Sequence, residues 1–277
     1  MSRLRTNTLQ VELAPDQVDL VHRARRLTWL GVRTCVRNER LRAVAGNGAE
    51  AWRGAVQALQ GALPDHAGRS ARVMLSSRLV HYALVPWSDA LGDADEEAAY
   101  ARHFFERVHG EAAAQWALRV SPGGNGEPML ASAVDARLLD ALRATFAAAG
   151  VRLDSIQPNL MAVCNDHRRR LQGRHAWLAL LEPGSLCLAL LQNGRWARIR
   201  SMRVGPGWRV ELGLLLAREA YLADPGGAAT RDVFLWASGQ DEITLPETDR
   251  WQFHLLATPD RRGAPANGQR ALAVMEG

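Results

Sequence analysis

The chain contains no lysine: all 34 of its basic residues are arginine. That absence removes several enzyme classes. A Walker A loop needs a Lys to reach the phosphates, a protein kinase needs its strand Lys, and Schiff-base chemistry needs an amine. A Gly-x-Ser-x-Gly elbow and a His-Glu-x-x-His helix are missing too. Gly205-Pro206-Gly207 lacks the third glycine of a dinucleotide loop, and Pro206 deletes an amide donor. Cysteine is scarce. Cys35, Cys164 and Cys187, odd in number and far apart, read as reduced thiols of a cytoplasmic chain rather than a disulfide framework. "MSRLRTNTLQVEL" has no apolar core of signal-peptide length, and no run reaches the ~18 apolar residues of a membrane span. A soluble protein is expected.

What is present describes a globular chain. Its 277 residues, 47% hydrophobic, suffice for one large domain or two lobes of ordinary size. Nine Trp are many for an aromatic fraction of 6%, and burial habits place most of them in cores or half-buried surfaces. The net charge is +5. Its densest cluster, Arg168-Arg169-Arg170, ends a helical pattern, where cations complement the helix dipole. Neither an aromatic-basic platform nor zinc-finger spacing accompanies it, so nucleic acid is not an expected partner.

Strand and helix patterns interleave along the whole chain, which indicates an α/β or mixed class. "LQVEL", a turn at "APDQ" and "VDLV" form an opening hairpin. "RLTWLGVRTCV" and "RLRAVAG" read as further strands, and Trp52, Val56 and Leu59 mark a helix stopped by Pro64. "ARVMLSS" and "RLVHYALVPW" are strands, and a helix with acids in its first turn starts near Asp93. A hairpin formed by "QWALRVS" and "PMLASAVD" follows, with a glycine-rich turn at 123–126. An amphipathic helix closed by Gly150, the strand "VRLDSIQ" and a helix opening on Pro158 complete the first part. After "QGRH" the pattern restarts, with three strands over 176–204, a helix over 208–222, the strand "DVFLWASG" and a weak alternation in "WQFHLLAT". One internal repeat stands out: "VELAPDQVDL" (11–20) and "LEPGSLCLAL" (181–190) each set a Glu at the end of a strand before a short turn. Hairpins are common enough that coincidence remains an alternative.

Together these segments resemble the actin-like proteins of bacterial type IV pilus and type II secretion machines, the PilM family and the cytoplasmic domain of the GspL family. The resemblance spans roughly residues 9–240, and "LASAVDARLLDALRATFAAAGVRLDSIQPNLMAV" carries most of it. It implies an α/β, actin-like (RNase H-like) fold of two lobes. The first would cover 1–172 with a small inserted α/β subdomain at about 78–134, the second 173–258, and a loose tail 259–277. "LQVELAPDQVDLV" is similar to that family's first phosphate hairpin, strand–Asp–x–Gly–turn–strand with a Lys in the second strand. Here Glu12 replaces the Asp, Ala14 the Gly and Asp19 the Lys, and Pro15 removes a donor. "LALLEPGSLCLALLQNGRWARIR" is similar to the second phosphate hairpin. It keeps Gly184 and Ser185 but adds Glu182 and Pro183. "DVFLWASG" stands at the adenosine-side strand, with Ser238 and Gly239 in its turn. The resemblance thus implies a degenerate nucleotide cleft of Glu12, Glu182, Gly184, Ser185, Ser238 and Gly239, expected to be empty and without catalytic residues or a cofactor. The alternative is an active ATPase of the same fold with ATP and magnesium.

The resemblance also implies a role and a partner. The chain would be a scaffold of an inner-membrane assembly platform, peripheral at that membrane and in contact with other platform proteins. It would bind the cytoplasmic N-terminal tail of a PilN-like single-pass membrane protein in a groove between the first lobe and its insertion. "RLVHYALVPW" would flank this groove as an edge strand, because Pro86 cannot donate to a ladder. Arg78, Tyr82 and Trp87 are the partner-binding candidates. The remaining constellations have blander readings. Cys164, His167 and His175 have loose metal-like spacing, but Cys164 falls on an apolar helix face, so no metal is expected. His103 and Glu106 read as a solvated pair. Asp93, Asp95 and Glu97 read as helix capping rather than half a calcium loop.

Overall fold

The structure, a computed structural model, describes residues 8–28, 31–44, 46, 48–121, 123–124, 126–223, 230–238, 243–246 and 248–256. Strands β1 (Thr8–Ala14) and β2 (Gln17–Thr28) fold about Pro15-Asp16, and β3 (Gly31–Arg42) returns along β2 from Thr28↔Gly31 to Gln17↔Arg42. Helix α1 (Arg53–Ala62) then leads to β4 (Ser70–Leu75), which pairs parallel with β1. Helix α3 (Ala136–Ala148) leads to β8 (Arg152–Pro158), parallel to β4. The sheet order is β3-β2-β1-β4-β8. Leu9, Val11 and Leu13, two apart on β1, point to one face and pack with Val73, Leu59, Leu142 and Phe146.

Beyond helices α4 (Asn159–Asp166) and α5 (Arg168–Leu171) the same plan repeats. Strands β9 (Ala176–Glu182), β10 (Ser185–Gln192) and β11 (Arg195–Arg203) form an antiparallel meander. Helix α6 (Trp208–Ala223) crosses to β12 (Asp232–Ala237), which lies parallel to β9, and β13 (Gln252–Leu255) lies parallel to β12. The order β11-β10-β9-β12-β13 matches the first sheet in sequence of connections and in strand senses. Both faces of this second sheet are covered. Leu212 and Leu216 of α6 pack on one face with Trp177 and Leu181, and Leu160 and Val163 of α4 pack on the other with Leu178 and Leu180. That double burial explains why β9 is an unbroken apolar run rather than an alternating one.

Between β4 and α3 lies a third sheet of order β5-β7-β6, formed by β5 (His81–Val85), β6 (Trp116–Ser121) and β7 (Met129–Asp135), all antiparallel. Helix α2 (Ala94–His109) packs on it through Ala101 and Phe105. Asp93 caps α2, its Oδ1 accepting from the N–H of Asp95 and of Glu96 at 2.9 Å each, as the capping reading requires. The class is the α/β, actin-like, two-lobed arrangement that the sequence implied.

Several element bounds differ from the sequence reading, each for a tertiary reason. The segment expected as one strand, "RLTWLGVRTCV", is divided between β2 and β3, because the hairpin ladder runs on through twelve paired positions. "RLVHYALVPW" contributes only His81–Val85, since Leu79 N–H closes a turn on the Ser76 carbonyl at 2.8 Å and Pro86 cannot extend the ladder. The helix opening on Pro158 breaks at His167 into α4 and α5. Residues 259–277 of the expected tail, and Gly239, lie outside the described residues.

Candidate functional site

The ends of β1, β4, β9 and β12 meet where the two lobes face each other. Each lobe closes its β-ladder here with an equivalent bond. Ser76 N–H donates to the Leu13 carbonyl at 2.9 Å, and Ser238 N–H donates to the Leu181 carbonyl at 3.0 Å. Two carboxylates then cross the gap in opposite directions. Glu12, from the first lobe, accepts at Oε2 from Ser238 Oγ of the second at 2.7 Å. Glu182, from the second lobe, is buried against the first. Its Oε2 accepts from Ser77 N–H at 2.8 Å and Ser76 Oγ at 3.1 Å, and its Oε1 accepts from Asn159 Nδ2 at 2.7 Å. Burial pushes the Glu182 carboxyl above its ordinary range, and the bonds from Asn159, Ser77 and Ser76 counter that shift only in part.

The register corrects the internal repeat. Ala14↔Gln17 closes the β1–β2 hairpin, and Glu182↔Ser185 closes β9–β10. The structural counterpart of Glu182 is therefore Ala14, and that of Glu12 is Leu180, two residues away in each case. Strand periodicity explains why the offset is tolerated: residues i and i+2 share a face, so both carboxylates still point into the gap. The sequence pattern was right about the face and wrong about the position.

The other cleft residues are similarly engaged. Asp19, opposite Glu12 on β2, accepts from Arg40 Nε at 2.7 Å and Gln17 Nε2 at 2.6 Å. Arg40 was not singled out by the sequence, because only the β2–β3 register brings it to Asp19. Gly184 has φ +73°, as its turn demands. Ser185 is buried, with its hydroxyl directed at the Met202 carbonyl of β11, 3.5 Å away. The space left among Glu12, Ala14, Asp19, Asn159, Glu182 and Ser238 is about 20 Å³. That is close to the volume of one water-sized probe, whereas ligand sites run to about 300–1,000 Å³. A second, open depression of about 370 Å³ adjoins it, lined by Glu182, Gly184, Gly205, Trp208 and Ser238. Charge rather than volume speaks against a nucleotide here, because Glu12, Asp19 and Glu182 would set carboxylates against its phosphates. Among the described residues no group of three or more His, Cys, Asp or Glu is placed to hold a metal. Cys164 is buried, and burial pushes its thiol well above the ordinary range.

The partner-binding candidates are spread around β5, an edge strand of its sheet. Arg78 Nη1 is bonded to both carboxylate oxygens of Asp16, at 2.7 and 2.8 Å. Tyr82 is half-buried, and its ring packs between the first-lobe core and the interlobe core. Trp87 is 44% exposed. A depression of about 400 Å³ runs beside β5, lined by Tyr82 and Leu84, by Phe104 and Val108 of α2, and by Arg198 and Arg200 of β11. It separates the insertion from the second lobe, not from the first. Of the three candidates only Tyr82 lines it. On the far side of β5, His81 stacks on Trp116 with ring centroids 4.0 Å apart. Burial, with repulsion from His109, depresses its pKa to about 4.

No protein-family model matches the chain, and no curated protein matches it by sequence. Solved structures do match in fold. The cytoplasmic domain of EpsL, an inner membrane component of the type II secretion system of Vibrio cholerae, aligns over 90% of both chains with TM-score 0.56 and 14% identity. A chain of the PilM-PilN type IV pilus biogenesis complex aligns over 85% of this chain and 82% of its own with TM-score 0.61 and 14% identity. A Bacteroides thetaiotaomicron protein with an actin-like ATPase fold and unknown function aligns over 85% and 83%, with TM-score 0.51 and 9% identity. The chain has the actin-like fold of these structures.

Proposed function

We propose that this chain is a non-catalytic actin-like scaffold of a type IV pilus or type II secretion assembly platform, peripheral at the inner membrane through a PilN-like partner. Its organisation would be a first lobe over 1–172 carrying an insertion at 78–134, and a second lobe from 173. The observation that supports the non-catalytic part is the bridging of the cleft by the chain's own side chains. Where a nucleotide would bridge the lobes, the chain bridges them itself through Glu12–Ser238 and through Glu182 with Ser76, Ser77 and Asn159. Among the described residues no helix is long and apolar enough to cross a membrane.

The tail of the partner would add to the edge strand β5 in the depression that separates it from β11, with Trp87 as a flat apolar anchor beyond the end of the strand. Two measurements test the proposal. Calorimetry with ATP and magnesium should detect no binding, and a dissociation constant of about 10 μM or tighter, roughly −7 kcal/mol, would overturn the empty-cleft reading. A peptide from the cytoplasmic N-terminal tail of a PilN-like single-pass membrane protein should bind, and Trp87→Ala should weaken it by about 1–3 kcal/mol. Equal affinity of the wild type and Trp87→Ala would place the tail elsewhere.

A further inference from the structure

Helix α6 is apolar on two opposite sides. One side, Trp208, Leu212, Leu216 and Ala220, is buried against the second sheet. At 3.6 residues per turn, Val210, Leu214 and Tyr221 fall together on the opposite side, with Ala217 between them at the edge of the inner core and the exposed Leu222 on one flank. Val210 is 83% exposed, Leu214 74% and Tyr221 66%, whereas Val44, Trp87 and Val108 stand singly on other elements. A surface helix ordinarily carries polar residues there, and a contiguous exposed apolar stripe marks a contact.

We propose that this stripe joins two copies of the chain, with α6 packed antiparallel on its own symmetry mate. The spacing is four residues, then three, then four, so it reads the same in both directions. A twofold axis between positions 215 and 216 sets Val210 opposite Tyr221 and Leu214 opposite Ala217, so each large side chain meets its complement twice. A twofold contact requires that self-complementarity. Charge follows the same axis. Glu211 and Arg218 share one flank of the stripe, and the twofold brings each Glu211 within about two residue rises, roughly 3 Å along the axis, of Arg218 of the partner subunit. Arg218 is half-exposed, and together with Arg198 and Arg200 it surrounds the single carboxylate of Glu219, which leaves this flank positive and suited to an incoming acid. The occupant that fits both the stripe and its charged flank is therefore a second copy.

Sedimentation equilibrium of the full chain from about 1 to 100 μM is the test, a range that brackets dissociation constants of ordinary weak dimers. A concentration-dependent dimer is expected. Leu214→Glu should weaken it about a hundredfold or more, while its melt matches that of the wild type at concentrations where both are monomers, because Leu214 is exposed within the monomer. The double variant Leu214→Cys, Ala217→Cys should cross-link to a covalent dimer under mild oxidation, as only the antiparallel arrangement places 214 against 217. A wild-type monomer throughout this range would overturn the proposal, whether another part of the chain or another partner covers the stripe. So would a dimer indifferent to Leu214→Glu, or one that the paired cysteines fail to link.

Discussion

The interlobe cleft and the outer face of the second lobe each bury a glutamate, with opposite electrostatics. Glu182 meets neutral donors: the Ser76 hydroxyl, the Ser77 backbone N–H and the Asn159 amide. Its carboxyl is driven upward by burial. Glu219, with 0% exposure, sits among Arg198 at 2.7 Å, Arg218 at 3.0 Å and Arg200 at 3.6 Å. Burial opposes ionisation there too, but bonds from Arg198 and Arg218 and the attraction of Arg198 and Arg200 hold the carboxyl below its ordinary value. The outer glutamate draws three cations, Arg198 and Arg200 of β11 and Arg218 of α6, whereas the cleft glutamate draws none. Arg40, the arginine bonded to a cleft residue, is committed to Asp19.

The largest effect is expected at the arginine cluster. Glu219→Ala removes the shared acceptor of three cations and should lower unfolding free energy by about 3 kcal/mol, the lower end for breaking a buried pair because Arg200 and Arg218 retain solvent. Denaturant titration reads it, and a loss below about 1 kcal/mol would show that the cluster is a surface ornament.

Glu182→Ala comes next, at about 2 kcal/mol, since it strands buried donors without stranding a charge. The pH trends of these two variants should cross. The folded-state pKa of Glu182 is raised, so its contribution is fully present below the unfolded carboxyl value, about 4.3, and is lost as pH rises through the folded value. The deficit of Glu182→Ala therefore grows from about pH 7 to pH 4. Glu219 is lowered, so its contribution is present above about 4.3 and lost as pH falls through the folded value, and the deficit of Glu219→Ala holds steady down to about pH 4.3 and shrinks only below it. Parallel trends would erase the distinction between the two sites. The smallest effect belongs to Ser238→Ala, which deletes the partly buried donor to Glu12 and should lose about 1 kcal/mol. No measurable loss would leave Glu182 as the main tie between the lobes.

Much of the fold was legible because its signals are local. The Pro15-Asp16 and Asn193-Gly194 turns, the Asp93 cap and the Gly150 stop each depend on a few adjacent residues. Gly150 and Asn193 have φ +64° and +53°, the left-handed conformations those residues tolerate. The cleft residues Glu12, Glu182 and Ser238 were also named in advance, through the resemblance that sets Glu12 and Glu182 on the two phosphate hairpins and Ser238 in the turn of the adenosine-side strand. Their partners were not. Ser76, Ser77 and Asn159 are ordinary strand-end and helix-start residues, and nothing within their own segments sets them against Glu182, which lies 106, 105 and 23 positions away.

Periodicity, turn chemistry and capping, all written into neighbouring residues, determined two restarted runs of strands and helices and the direction in which each side chain points. Tertiary structure alone decided the two-residue offset between Glu12 and Glu182, the committed pairing of Arg40 with Asp19, and the placing of β11 rather than the first lobe beside β5. The reason is physical. A period of two fixes a strand's face but not its register against a distant strand, and the state of a buried carboxyl depends on which donors the folded chain brings within 3 Å.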